Sequence, residues 1–441
     1  MVNYKKGKMK NLKFIFVLFV ISISCKKESK TIEETPIPRD KVPIVMMHGV
    51  LAAGDTYEQQ FLRFTSNGYD PRVVYVFDWN SIGLGANNEV LLDKFIDDIL
   101  EKTGQTQVNL VGHSAGGGLG YGYCDNASRA AKIAHYVHIG SGGITKPAGP
   151  NATPIPTMVI WSDGDKVASS GNVEGCTNVE LIDKDHYQVA TSQEAFKEMY
   201  KFFNNNNEPT TLEIVGDEII KLSGRVITFG ENQAGASAKV NIYELDPNTG
   251  FRKQTNPDAS FVADGKGNWG DFIAKPLAYY EFEAIPKNPT ERIIHYYREP
   301  FKKSDKIVYL RIFPPKGSIA EGILSGLPKD DEQSVNAFFG ANQAIVSGRD
   351  VFIANGDTLS KPKFAQDNYT TIAMFLYDNN KNGASDLNSF GAFANSAFLK
   401  FVDFYVPATT PQTNTFYLNG RVLKSRNWPS KTNGVSVIVF D

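Results

Sequence analysis

Between residues 43 and 203, short apolar runs alternate with longer stretches that are apolar on one side only. Parallel strands buried on both faces are apolar throughout, and the helices that connect them are amphipathic. The pattern therefore predicts an α/β domain built on a doubly wound, mostly parallel sheet, over residues 41–205. The predicted strands are Ile44–Met47, Arg72–Val76, Gln107–Val111, Ile133–Ile139, Thr157–Trp161 and Val179–Ile182.

Two of the connecting stretches have apolar residues at helical spacing. Residues three or four positions apart lie on one face of a helix, so we expect both stretches to pack an apolar face on the sheet. In the first stretch the apolar positions are Val90, Leu91, Phe95, Ile96, Ile99 and Leu100; in the last they are Ala195, Met199 and Phe202.

After the polar run Asn204–Pro209 the pattern changes to short β-rich segments separated by turn residues such as Asp246–Gly250. This half is predicted to be all-β, with two sandwich-like modules over residues 210–315 and 330–441. The segment Leu222–Val226 recurs with one change as Leu418–Val422. So short a match leaves a true repeat and chance equally open.

The N-terminal segment is of another kind. Lysines precede an apolar run from Phe14 to Ile23, which is too short to span a bilayer permanently. It resembles the signal peptide of bacterial lipoproteins, which implies that residues 1–24 are removed and that Cys25 becomes the lipid-modified first residue. An ordinary secretory peptide is the alternative. Residues 25–40 are charged and contain prolines, as in a flexible tether.

By analogy with such lipoproteins, Lys26 after the cysteine implies sorting to the outer membrane. We therefore expect an exported protein of the cell envelope, held at the membrane through its lipid anchor. The 46 lysines and arginines nearly balance the 48 aspartates and glutamates. That balance argues against a nucleic-acid partner, which would be held by a basic field.

Cysteines and acidic loops give no clear metal site. If Cys25 is acylated, Cys124 and Cys176 remain, either as a disulfide or as two separate thiols, and their spacing does not suit zinc. The loop Asp378–Asp386 partly matches a calcium loop, but Ser389 stands where a bidentate glutamate should be. We favour a turn that joins two strands, and we expect no metal and no cofactor.

The run Leu110–Gly120 contains Gly112-His113-Ser114-Ala115-Gly116 between a predicted strand and a predicted helix. A serine flanked by glycines on such a turn is typical of a nucleophile elbow, where the serine is strained and its neighbours pass close by. A phosphate-binding loop would need a following lysine or acidic residue that is absent here. A flexible loop is the remaining alternative to a nucleophilic Ser114.

A serine hydroxyl needs a general base, which directs attention to the six histidines. His186 lies in Asp183–Tyr187, a loop between the last predicted strand and the last predicted helix, where the base belongs in the chain order serine, acid, histidine. The others lie at a strand end, beside the serine, inside a strand or in the β-rich half; they are His48, His113, His135, His138 and His295.

The acid that orients the base should follow the next-to-last strand. The segment Trp161–Val167 offers Asp163 and Asp165. We favour Asp165, because the acid usually lies several residues past the strand, and keep Asp163 as the alternative. Two backbone amides should hold the oxyanion, that of Ala115 after the nucleophile and that of Val50 in the turn after the first strand.

The segments V-M-M-H-G-V, G-H-S-A-G, W-S-D-G-D-K-V and D-H-Y together resemble the lipase and carboxylesterase branch of the α/β-hydrolases, especially small bacterial lipases without a large cap. The resemblance covers most of residues 43–203. Residues 55–69 and 295–301 also resemble an archaeal long-chain lipase whose C-terminal β-domain binds lipid. Two features depart from that lipase: its long lid insertion has no counterpart after Asp78–Asn80, and Ser141 stands where it carries its acid.

Together these features predict a lipid-anchored, exported serine hydrolase that cleaves carboxylic esters, as a lipase acting on triacylglycerol or other apolar acyl esters. A polyester depolymerase or another deacylase is the alternative within enzymes. A surface-binding lipoprotein with a non-catalytic hydrolase domain is the alternative outside them.

Overall fold

The computed structural model describes residues 1–4, 35–83, 87–168, 170–366, 371–391, 396 and 398–441. The chain divides into a unit from Met1 to Pro36 and a unit from Ile37 to Asp441, and the second contains all elements described below. Among the described residues, no helix is both long enough and apolar enough to cross a membrane. The expected lipid attachment at Cys25 lies outside the described residues, as does nearly all of the expected signal peptide.

The first half of the large unit consists of strands and helices in alternation. Its elements are β1 (Ile44–Met47), α1 (Glu58–Ser66), β2 (Val74–Phe77), α2 (Asn88–Thr103), β3 (Val108–His113), α3 (Ala115–Cys124), α4 (Ala127–Ala130), β4 (Ile133–Ile139), β5 (Thr157–Ser162), β6 (Thr177–Leu181), α5 (Gln188–Thr191) and α6 (Gln193–Phe203). All six strands pair in parallel, in the order β2-β1-β3-β4-β5-β6. The predicted fold is confirmed, with strand ends shifted by one or two residues.

The predicted inner face of α2 was partly wrong. The helix buries Leu92, Ile96 and Ile99, whereas Val90 and Leu91 are exposed. The buried positions follow one another at intervals of four and three, so they form a single stripe; two consecutive residues cannot both lie on it. In α6, Ala195 and Met199 are buried as expected.

Where the structure describes it, the second half is β-rich, with one short helix. Its elements are β7 (Ile220–Thr228), β8 (Lys239–Glu244), β9 (Ala259–Val262), β10 (Asn268–Ala274), β11 (Tyr280–Ile285), β12 (Ile294–Arg298), β13 (Asp305–Ile312), α7 (Ile319–Leu324), β14 (Val335–Gly340), β15 (Phe352–Ala354), β16 (Asp357–Thr358), β17 (Ala373–Tyr377), β18 (Leu399–Asp403), β19 (Thr413–Leu418), β20 (Arg421–Arg426) and β21 (Val435–Phe440). They form sheets ordered β10-β7-β13, β18-β17-β14-β21-β12-β11-β8-β9 and β16-β15-β19-β20.

The three sheets lie in layers around two apolar cores. The three-stranded sheet packs on the eight-stranded sheet through residues such as Leu222, Phe282 and Leu310. The four-stranded sheet packs on the eight-stranded one through a separate core that includes Phe338 and Phe416. The predicted sandwich-like class is thus confirmed, with the eight-stranded sheet as the shared layer.

Strands from both expected β modules pair within that central sheet. β21 lies between β12 and β14 and is parallel to both. The two expected modules therefore share one sheet, and the boundary between them, near residues 317–332, stays a prediction. The echoed segments differ in structure: Gly224 lies inside β7, whereas Asn419 and Gly420 form the turn of the β19–β20 hairpin. Their likeness does not reflect a repeated structural unit.

Buried ion pairs join the C-terminal sheets to the α/β domain. Arg298 of β12 binds both carboxylate oxygens of Glu58, at 2.8 and 2.6 Å, and Arg311 of β13 binds both of Asp55, at 2.7 and 2.6 Å. Bidentate pairs fix orientation as well as distance. Because Asp55 follows the turn after β1, the C-terminal domain is fixed directly beside that turn.

Candidate active site

The elbow between β3 and α3 has the strained backbone that its sequence predicts. Ser114 adopts φ 53° and ψ −124°, a conformation that side chains other than glycine rarely take. A Cβ on Gly112 would lie 2.4 Å from the carbonyl oxygen of Gly116, and one on Gly116 would lie 2.4 Å from that of Met47. The glycines are therefore required sterically, and neither a flexible loop nor a phosphate cradle accounts for them.

His186 and Asp165 meet at the same edge of the sheet. His186 Nδ1 lies 2.8 Å from Asp165 Oδ2, and both residues are buried. The other oxygen, Oδ1, accepts the amides of Val167 at 2.9 Å and Ala168 at 3.2 Å. Burial alone would raise the pKa of Asp165, but the hydrogen bonds and the His186 ring outweigh it and lower the pKa. The ionised carboxylate can only accept, so it holds the proton on Nδ1.

Asp163, the alternative acid, lies apart from His186. Its Oδ1 accepts the backbone amide of Asp183 at 2.8 Å, and its side chain is exposed. This bond fastens the loop that precedes His186, which is a structural role. Of the two aspartates, the structure thus brings only Asp165 to the imidazole.

His113, the residue before Ser114, forms a hydrogen bond with the backbone of His186. The Nε2–H of His113 donates to the His186 carbonyl oxygen at 2.7 Å, and the two rings lie 4.7 Å apart. Burial lowers the pKa of His113 to about 3, so the ring is neutral. Among the described residues, no direct hydrogen bond joins Ser114 Oγ to the His186 ring; such bonds often form only with substrate bound. The sequence placed His113 beside the serine, and this contact with the His186 loop was not predicted.

The two candidate oxyanion donors flank the serine. A Cβ on Gly49 would lie 3.0 Å from Ser114 Cβ, so the turn after β1 passes directly over the nucleophile. Val50 follows in that turn, and Ala115 begins α3. Within the described part of the chain, neither of their amides has a hydrogen-bond acceptor, which leaves both available to an oxyanion.

Residues of the second expected β module, 330–441, contact the loop that carries His186. Arg349 lies 2.8 Å from a carboxylate oxygen of Asp185, and the amide of Ala344 donates to that same oxygen at 3.3 Å. The other oxygen of Asp185 accepts the amide of Tyr187 at 2.8 Å. A residue next to His186 is therefore fixed by the C-terminal domain. No local sequence pattern identifies Arg349, since its partner lies more than 150 residues away.

The remaining candidate histidines are engaged elsewhere. His135 pairs with the Asn109 side chain at 2.8 Å, and His138 lies 2.8 Å from the hydroxyl of Tyr136. His295 lies 2.6 Å from Glu281 in the C-terminal domain. Among the described residues, none of the three forms a hydrogen bond with Ser114 or Asp165.

Metal-ligating groups converge at one place among the described residues, where Glu281, Glu283 and His295 lie together. Arg252 contacts both carboxylates, at 2.5 and 2.8 Å, so one of the two negative charges is already offset. In the calcium-like loop, the Asp378 carboxylate accepts backbone amides of its own turn. These contacts suit structural ion pairing and a strand-joining turn.

The two described cysteines are free thiols. Cys124, the last residue of α3, is buried in the core, and Cys176 is partly exposed. Burial raises the pKa of the Cys124 thiol well above its ordinary value. Of the two possibilities that the sequence left open, the structure has separate thiols.

A largely apolar cavity lies between the catalytic edge and the central sheet of the C-terminal domain. Its volume is about 80 Å³, and it is partly open to solvent. Leu51, which follows Val50, lines it, as does Phe398, whose ring lies 6.0 Å from that of His186. Ala337 and Val437, on neighbouring strands, form part of its wall. The cavity therefore begins beside the candidate catalytic residues.

Comparison with known proteins finds a family match within each half of the chain. Residues 42–154 match the family described as alpha/beta hydrolase fold, and residues 218–315 match the lipase C-terminal domain family. Similar solved structures include the Bacillus licheniformis lipase BlEst2 (15% identity, TM-score 0.31, 38% of this chain and 94% of that one). Others are a bacterial membrane phospholipase A (14%, 0.31, 39% and 81%) and a predicted CIB-like hydrolase from Thermoplasma acidophilum (15%, 0.30, 38% and 88%).

Proposed function

We propose, from the premise that this chain belongs to an α/β-hydrolase lipase family with a C-terminal domain, that it is a serine hydrolase that cleaves carboxylic esters of apolar acyl groups. The observation that carries the proposal is the apolar cavity that begins beside the His186–Asp165 pair. Apolar walls favour an acyl chain, and Leu51 and Phe398 bring one end of the cavity beside the candidate catalytic residues.

In the proposed reaction, Ser114 Oγ attacks the ester carbonyl carbon while His186 Nε2 takes the hydroxyl proton. The amides of Val50 and Ala115 hold the oxyanion that forms on the carbonyl oxygen. His186 then gives its proton to the departing alcohol oxygen, which leaves an acyl group on Ser114. Water attacks the acyl-enzyme with His186 again as base and releases the carboxylic acid. Asp165 offsets the charge that the imidazole acquires in both steps.

A fluorophosphonate probe tests whether the serine is nucleophilic. Labelling of the wild-type chain that is lost in Ser114→Ala supports catalysis, and an unlabelled wild type contradicts it. The second measurement is hydrolysis of p-nitrophenyl esters from acetate to palmitate. Rates that persist or rise with chain length support a lipase, whereas hydrolysis confined to acetate refutes an acyl-chain site.

We propose further that the protein is exported and held in the outer membrane by a lipid on Cys25, with the lysine-led apolar segment before it as signal peptide. A single acyl chain binds membranes only weakly, so stable anchoring requires more than one chain. Expression in a bacterial host followed by detergent phase partition tests the anchor. Wild type should enter the detergent phase and Cys25→Ser the aqueous phase; equal partition of both rejects the lipid anchor, and membrane fractionation tests the location.

A further inference from the structure

The proposed oxyanion donor at Val50 belongs to a peptide bond whose other end is pinned by a side chain. The carbonyl oxygen of Gly49 accepts a hydrogen bond from His48 Nδ1 at 2.8 Å. A peptide unit is planar and trans, so its carbonyl and the following N–H point in opposite directions. The bond to His48 therefore fixes the direction of the Val50 N–H.

This arrangement requires one tautomer of His48. A carbonyl oxygen only accepts, so Nδ1 must carry the proton. Nε2 is then an acceptor, and it faces the backbone N–H of Trp79 at 3.3 Å and the side-chain amide of Asn232 at 3.2 Å. Burial lowers the pKa of His48, which keeps the ring neutral and Nε2 free to accept. The groups that donate to Nε2 thus select the tautomer that holds the Gly49 carbonyl.

Asn232 comes from the C-terminal domain. It lies in the turn between β7 and β8 in a left-handed conformation, with φ 56°, and its side chain is buried against the turn after β1. Its amide nitrogen also lies 2.8 Å from the carbonyl oxygen of Ala52 and 3.0 Å from that of Trp79, so its two hydrogens are shared among three acceptors. One side chain therefore contacts both ends of the turn after β1, at His48 and Ala52, and the loop after β2, at Trp79.

We propose that Asn232 is a positioning residue for ester hydrolysis, acting through His48 to hold the Val50 amide toward the oxyanion. The C-terminal domain is then part of the catalytic machinery and not only a substrate-binding unit. The inference rests on the proposed function, since an oxyanion forms only if Ser114 attacks an ester carbonyl. It predicts a loss of transition-state stabilisation without a matching loss of substrate binding.

The test uses full-length wild type, Asn232→Ala, His48→Leu and the double variant, with active sites counted by fluorophosphonate titration. For a p-nitrophenyl ester, Asn232→Ala should lower kcat by about 10- to 100-fold, less than the loss of a whole donor, with KM within about twofold. The inhibition constant of an alkyl boronic acid, which forms a tetrahedral adduct on the serine, should rise by a similar factor. The double variant should be no slower than His48→Leu, because both act on one peptide.

Asn232→Asp keeps the size of the side chain but removes the donor, and it should lose as much as Asn232→Ala; it serves if the alanine variant does not fold. Lys306→Met is the matched control, since Lys306 lies in the same interface against Phe61 and Tyr75, away from the turn. The proposal is overturned if Asn232→Ala keeps kcat within twofold of Lys306→Met, or if the losses multiply in the double variant. If the wild type shows neither labelling nor ester hydrolysis, the proposed function is rejected, and the role of Asn232 is rejected with it.

Discussion

Replacing Asp165 by asparagine should abolish most activity, and the geometry around its carboxylate explains why. Oδ1 accepts two backbone amides, those of Val167 and Ala168, while Oδ2 faces His186 Nδ1. An asparagine must place its oxygen where those two amides are. Its NH₂ group then points at the imidazole and donates to Nδ1. The imidazole proton therefore moves to Nε2, and this nitrogen can no longer accept the proton of Ser114.

The alternative orientation of the asparagine would set its NH₂ group against two backbone N–H donors. In that orientation both amides would lose their acceptor, so it is disfavoured and does not restore the correct tautomer. We therefore expect kcat for a p-nitrophenyl ester to fall by about 10³- to 10⁴-fold, the effect of a wrong tautomer in serine hydrolases. That loss corresponds to about 4–5.5 kcal/mol in activation free energy.

Asp163→Asn is the matched control. Its oxygen can still accept the Asp183 amide, so we expect activity within about twofold of wild type, as for other surface substitutions. Both variants should be compared at equal concentrations of folded protein, checked by circular dichroism and thermal unfolding. An Asp165→Asn variant that keeps a tenth of the activity, or an Asp163→Asn variant that loses as much, refutes the assignment.

Three further predictions follow from the cavity, a buried charge cluster and the thiols. Ala337→Trp fills the cavity wall, so hydrolysis of palmitate esters should fall at least tenfold relative to acetate esters; an unchanged ratio would place the acyl chain elsewhere. Burial alone would raise the pKa of Glu281, but Arg252 and His295 bring it to about 2. Since the pKa is lowered on folding, the stabilisation is complete above pH 4.5 and is lost as pH falls toward 2. In urea unfolding, wild type should lose about 3 kcal/mol more than Glu281→Gln over that range, and parallel pH curves would contradict this. A reductant should leave Tm unchanged because Cys124 and Cys176 are separate, whereas a lowered Tm would reveal a disulfide.

Much of the α/β domain could be predicted because its sequence signals are local. A parallel strand buried on both faces is apolar along its length, and the glycines of the elbow are required by contacts within a few residues of Ser114 or with β1. The same local rules misplaced Val90 and Leu91, because apolar residues at the start of a helix satisfy the spacing without reaching the core. The strand order of the C-terminal sheets could not be predicted, since β21 pairs with strands from both sides of the expected boundary.

The sequence by itself determined the parallel sheet, the strained turn at Ser114 and the loop of His186, because each depends on residue types at fixed short spacing. Only the tertiary structure decided which aspartate meets His186: Asp163 and Asp165 are two residues apart in one turn, and the first binds the Asp183 amide whereas the second binds the His186 ring. It also decided that Asn232 and Arg349 hold the catalytic loops. Such contacts join residues more than 150 positions apart, and they exist only when separately formed sheets pack together.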